Sequence, residues 1–345
     1  MSIVRPSPPP NNSMEPPPLP YGDLRPIPPS RVFGFGAILA LTGRAAPPQG
    51  CSANLEAVRR TATHQVTEIH SSELSADLLR AITTRLHHCT VTLFDLPRIL
   101  GEPQDPDPIG SGTLVCIRGR CHGILTAHHV ADVLAEDSRI GLTVAQEGQE
   151  HAFTIPREES RLLEIAVPET KEYGPDIAFL SVPPRYLPTI MASKAFHDLA
   201  PDQSSLLNSP PPLENGIWFA CGSPRRIMEL VPSEVGYREV WSVNQLCFAG
   251  PAAAAFTKGE HDYIEMLTEA RARDSLPTYK GLSGGGLWQV LLIRSPSGTI
   301  EPVRYLLSGL VYFQTDVQDG KRSLRCHGRR SLYEHAFQAI DTQCA

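Results

Sequence analysis

Three stretches of the chain carry residue types that can do chemistry together. In Gly281 to Trp288, GLSGGGLW, a serine has glycine two positions before it and glycines directly after it. Such a backbone turns sharply and leaves main-chain N–H groups open to a ligand. A serine hydroxyl becomes a useful nucleophile only when a base removes its proton and donors receive the negative charge on the attacked carbonyl. The plain alternative is a glycine-rich turn between strands. In ILTAHHV, Ile124 to Val130, a buried-looking strand runs into two histidines. A histidine just past a strand end is held by rigid scaffold and faces outward, as a general base must be, although such a histidine also serves as a structural group. In GPDIAFLSV, Gly174 to Val182, Asp176 precedes a strand that is apolar on both faces, so its carboxylate needs a donor. That donor is either a backbone cap or the imidazole of the base.

The elements that must position these residues are mostly short β-rich runs. They lie at 90–94, 112–118, 121–127, 139–145, 176–182, 216–222, 239–248, 262–268, 286–293, 303–313 and 323–327. Many short strands, frequent turn signals and few helices predict an all-β barrel or sandwich architecture. An amphipathic helix is expected over Ser72 to His87, with apolar residues at 74, 78, 79, 82 and 86. A second is expected over 331–340, with Leu332, Ala336, Phe337 and Ile340 on one face. The expected division is a disordered proline-rich leader at 1–30, an N-terminal extension with one helix at 31–88, a β body at 89–200, a linker at 201–214, and a second β body with the C-terminal helix at 215–345.

Taken together, the three stretches resemble the chymotrypsin-like (trypsin-like) serine proteases, and the order His129, Asp176, Ser283 is that family's order. TAHHV resembles the family's TAxH segment and places the base on His129 rather than His128. DIAFL resembles its DIAL segment, GLSGG its GxSGG segment, and GIWFACGSP the strand that opens its second barrel. The resemblance implies two antiparallel β-barrels with the active site between them, and a serine endopeptidase acting through an acyl-enzyme. Ser283 would attack the scissile carbonyl, His129 move the proton and Asp176 orient the imidazole, with the N–H groups of Gly281 and Ser283 as the oxyanion hole. The residues mapped to the substrate-binding region are Pro277, Tyr312, Phe313, Gln314, and Arg325 to His327. Pro277 offers no carboxylate for Lys or Arg, and Arg325 or His327 would receive an acidic side chain. Val130 stands where secreted members have cysteine, and Leu282 where zymogens have aspartate. Both departures look more like the intracellular and HtrA-like branches, and no PDZ-sized segment follows.

Composition bounds the partners. The chain has 345 residues, 41% of them hydrophobic and 20% charged, enough to bury a sizeable core. A formal net charge of −6 gives no reason to expect nucleic acid, and the cluster Lys321, Arg322, Arg325, Arg329 and Arg330 reads as a solvated face. Eight cysteines are too scattered for a small disulfide scaffold, and most are expected as free thiols. Cys116 and Cys121 either face each other across a hairpin or are small buried residues. Zinc at Cys116, Cys121, His122, His128 and His129 has no supporting spacing, so neither metal nor cofactor is expected. The apolar run Val32 to Gly43 is too short to span a bilayer, and the expected compartment is the cytoplasm. The expected partner is a protein or peptide substrate, with 31–88 as a regulatory docking arm or inhibitory lid.

Two other readings compete. GLSGG also fits the GxSxG elbow of α/β-hydrolases, but LWQVLLI after the serine is strand-like and too little chain remains for the rest of that triad. The same trypsin-like fold could instead be a catalytically inactive module that binds peptide in the cleft.

Overall fold

Ser75 opens the first helix. Its hydroxyl accepts a hydrogen bond from Leu78 N at 3.1 Å, Asp77 stands in the first turn and Arg85, His87 and His88 in the last, matching the helix dipole. Helix α1 (Ala76–His88) buries Ile82, Thr83 and Leu86. The computed structural model describes residues 38–40, 69, 73–95, 107–135, 139–144, 152–170, 174–225, 229–232, 239–242, 245–269, 278–318 and 320–344. The proline-rich leader, most of the 31–88 extension and Pro277 lie outside them.

The fold is mostly β, with two large antiparallel sheets and a few helices. The first sheet holds β2 (Thr90–Asp95), β3 (Asp107–Ile117), β4 (Arg120–Thr126), β5 (Arg139–Thr143), β6 (Ala152–Pro156), β7 (Leu162–Ala166) and β8 (Ile177–Ser181). Their order is β6-β5-β2-β3-β4-β8-β7, and the short β9 (His197–Asp198) adds a parallel pairing to β3. Arg118 and Gly119, both at positive φ, join β3 to β4 as a two-residue hairpin turn.

The second sheet takes β1 (Ile38–Ala40), β10 (Ile217–Gly222), β13 (Leu246–Gly250), β14 (Ala252–Lys258), β15 (His261–Glu269), β16 (Gly286–Arg294), β17 (Ile300–Gln314) and β18 (Lys321–His327). Their order is β1-β13-β10-β16-β17-β18-β15-β14. A separate two-stranded sheet pairs β11 (Glu229–Pro232) with β12 (Glu239–Ser242). The expected single strand over 239–248 is therefore two strands in different sheets. Among the described residues no ladder joins β6 to β7 or β1 to β14.

Part of the stretch expected as a linker is helix α4 (Ala200–Asn208), which buries Leu206. α2 (His128–Ala135) follows β4, and α3 (Leu187–Met191) follows β8. The C-terminal segment begins as a π-helix at Ser331–Ala336 and continues as α5 (Phe337–Gln343). Its wider first turn adds Tyr333 to the expected face of Leu332, Ala336, Phe337 and Ile340, and Tyr333 donates to Leu307 O at 3.0 Å.

One apolar cluster joins both sheets. Val115, Leu125 and Phe179 of the first meet Phe219, Trp288 and Leu307 of the second, with Ile82, Leu86 and Leu332 packed on them. The basic cluster is not a uniformly solvated face: Arg329 is buried, donating to Gln289 Oε1 at 2.5 Å and Pro211 O at 2.9 Å, and Arg325 donates to Glu265 at 2.8 Å. Nor are the cysteines mostly free. Cys121 is disulfide-bonded to Cys344 and Cys221 to Cys247, leaving Cys89, Cys116 and Cys326 as the free described thiols. Cys116 does not face Cys121 in a bond.

Candidate active site

Strand β4 delivers the two histidines to the start of α2, and their environments separate them. His128 is buried, with Nε2 on Glu164 Oε1 at 3.0 Å. His129 is half exposed and held twice by one carboxylate: its backbone N–H donates to Asp176 Oδ1 at 3.0 Å and its ring Nδ1 to Asp176 Oδ2 at 2.6 Å. This fixes the ring and turns Nε2 away from Asp176. Asp176 sits at the entry to β8, whose residues Ile177 to Leu180 are all buried. Burial alone would raise its carboxyl. The hydrogen bond from the His129 ring, the charge of that ring, the His129 N–H and the nearby His327 outweigh burial and lower it, so Asp176 remains a carboxylate.

His327 backs this pair. It is fully buried, and its Nε2 accepts the Asp176 N–H at 3.1 Å. Burial pushes its pKa down to about 3, so the ring is neutral. Its other face meets the Tyr312 ring at 4.5 Å between centroids. The expectation that His327 or Arg325 binds an acidic substrate side chain is therefore corrected. His327 is enclosed behind Asp176, and Arg325 is paired with Glu265.

Ser283 lies on a loop that glycine alone can shape. Gly281 has φ +95°, and a Cβ there would lie 2.6 Å from Ser223 O; Gly284 has φ +87°, and a Cβ there would lie 2.0 Å from Ser111 O. Leu282 is buried among Tyr279, Leu287, Val311 and Leu324, which anchors the loop to the second sheet. Gly284 N donates to Val311 O at 2.7 Å and Gly285 N to Leu282 O at 2.8 Å. Among the described residues no acceptor takes the N–H of Gly281 or of Ser283, the two donors expected for an oxyanion. Ser283 Oγ donates to Tyr312 O at 3.4 Å, and no hydrogen bond joins it to His129.

Three links bring the serine loop to the histidine pair. Ser283 bonds to the carbonyl of Tyr312, whose ring packs on His327, which accepts from Asp176. A Cβ on Gly110 would sit 2.7 Å from Val130, the neighbour of His129, and 3.2 Å from Ser283 O. The third link, Ser111 in β3, was not legible as a site residue. Its N–H donates to Ser283 O at 2.8 Å and its Oγ to Gly281 O at 2.6 Å, while that Oγ accepts Ser223 N at 2.8 Å and its carbonyl accepts Thr126 Oγ1 at 2.8 Å. Ser111 thus ties β3 and β4, which lead to His129, to both faces of the serine loop. Its setting, GSGT, carries no motif.

Of the expected substrate-binding residues, Tyr312 turns a buried ring to His327 and offers its backbone, while Phe313 and Gln314 are half-buried beside Ser283. Among the described residues no group of three His, Cys, Asp or Glu is placed to hold a metal ion, and no helix is long and apolar enough to cross a membrane. No protein-family model and no curated protein matches the chain.

Proposed function

We propose that the chain is a serine endopeptidase of the chymotrypsin-like kind, its two sheets serving as the two barrels of that architecture. The carrying observation is the double hold of Asp176 on His129, through Oδ1 to the backbone and Oδ2 to Nδ1, beside a serine loop with two N–H groups that no acceptor takes among the described residues. In this reading the Ser283 hydroxyl turns from Tyr312 O towards His129 Nε2 and gives up its proton there. Oγ bonds to the substrate carbonyl carbon, and the N–H groups of Gly281 and Ser283 take the oxyanion. The imidazolium returns the proton to the leaving amine as the C–N bond breaks, and a water repeats the sequence to release the acid. Hydrogen bonds at such sites tighten on substrate binding, so a 3.4 Å contact to Tyr312 in the free chain is compatible with this course.

That same contact also favours the alternative, an inactive peptide-binding module whose serine is engaged elsewhere. A fluorophosphonate probe separates the two. In the enzyme, Ser283 is labelled and Ser283→Ala is not; an unlabelled wild type that still binds peptides supports the module. Two disulfides fit an oxidising compartment better than the cytoplasm.

A further inference from the structure

Ser283 borders a cavity of about 150 Å³ walled by Tyr279, Leu282, Val311, Phe313 and Leu324. Leu282 is 1% exposed and Leu324 fully buried, so the wall is apolar. Gln314 closes one side. Its Oε1 accepts Tyr279 N at 2.7 Å and its Nε2 donates to Thr278 Oγ1 at 3.1 Å, which ties the end of β17 to the segment before the serine loop. The one charged residue among the described lining is Lys280, which is exposed at the rim. A charged side chain entering the cavity would lose its water against an apolar wall.

Resting on the peptidase reading, we propose that this cavity receives the side chain of the residue whose carbonyl Ser283 attacks. It takes an uncharged, apolar side chain of about leucine size, and Gln314 sets the size limit. An engineered cavity of roughly this volume in another protein holds one benzene ring. An isobutyl group fits that space, and an indole exceeds it. Removing the Gln314 side chain joins the cavity to the space it now spans. Removing or adding one or two carbons in such a pocket typically changes kcat/KM by about tenfold or more.

The test uses the whole chain and a peptide panel that varies only the residue before the scissile bond. Wild type should cleave after Leu with kcat/KM at least about tenfold above Arg, Lys, Asp, Glu and Trp. Gln314→Gly, and Gln314→Ala as a milder second variant, should raise the Trp-to-Leu ratio by about tenfold or more. A chain labelled at Ser283 that prefers a charged residue overturns the subsite alone. So does an unchanged Trp-to-Leu ratio in both variants. A chain that neither labels nor cleaves overturns the proposed function, and the subsite with it.

Discussion

At the scale of single residues, the site depends on a carboxylate kept charged inside the fold. Asp176 is 4% exposed, and its ionisation is maintained by donors that only its neighbours supply. Asp176→Asn preserves an acceptor for the His129 backbone N–H but presents an amide to Nδ1, which favours the wrong tautomer. The expected result is a fall in kcat of about 10⁴-fold with the melting profile retained, read by hydrolysis assays beside circular dichroism. Gly281→Ala tests the proposed oxyanion donors: positive φ and the approach of Ser223 O both oppose a Cβ. A loss of roughly a hundredfold to a thousandfold in kcat is expected, and unchanged turnover would show that the Gly281 N–H is not used.

At the scale of elements, β3 and α1 carry roles that their sequences do not advertise. Ser111 on β3, itself buried, bonds Gly281 O while accepting the buried Ser223 N. Ser111→Ala leaves both of those groups without a partner, at a cost of about 1–3 kcal/mol. Thermal melts should show that loss, and kcat should fall more than KM rises because the oxyanion donors shift; a variant as stable and as active as wild type would refute it. Helix α1 ends on Lys194, whose buried ammonium donates to His87 O and Gln245 Oε1, each at 3.1 Å. Burial lowers its pKa from 10.5 to about 8. The unfolded chain therefore holds this proton more tightly than the folded one. Below about pH 8 folding bears the full penalty of the buried charge, and between that pH and 10.5 wild-type stability gains as the penalty fades. Lys194→Met should be more stable than wild type at neutral pH, by up to about 3 kcal/mol. Its lead should shrink as the pH approaches 10.5, and denaturant titrations at several pH values will show whether it does.

At the scale of the whole molecule, the two sheets meet in shared apolar clusters, and the C-terminal helix is fastened across one of them. Arg118 at the β3–β4 turn bonds both oxygens of Asp341 at 2.8 and 2.9 Å, and the disulfide Cys121–Cys344 closes the same seam. The second disulfide, Cys221–Cys247, joins directly opposed residues of β10 and β13. Mass spectrometry of a non-reduced digest should recover both linked peptide pairs. Reduction should lower stability by about 2–4 kcal/mol per bond; free thiols at all four positions in protein kept from reductant would contradict the pairing.

The sequence by itself determined the β-rich character, the two terminal amphipathic helices, and the three residue types His129, Asp176 and Ser283 in their order. Each of these is written in local chemistry: apolar runs of strand length, capping residues, and glycines flanking a serine. The expectation of His129 rather than His128 as the base rested on the resemblance of TAHHV to a family segment, not on local chemistry. What the sequence could not carry was anything set by residues distant along the chain. Ser111 reads as an ordinary strand serine until folding brings Gly281, Ser223 and Ser283 to it. His327 and Arg325 read as available cations until the sheet encloses one behind Asp176 and pairs the other with Glu265. The cysteine pairings and the apolar cavity beside Ser283 were decided in the same way, by residues distant along the chain that folding brings together.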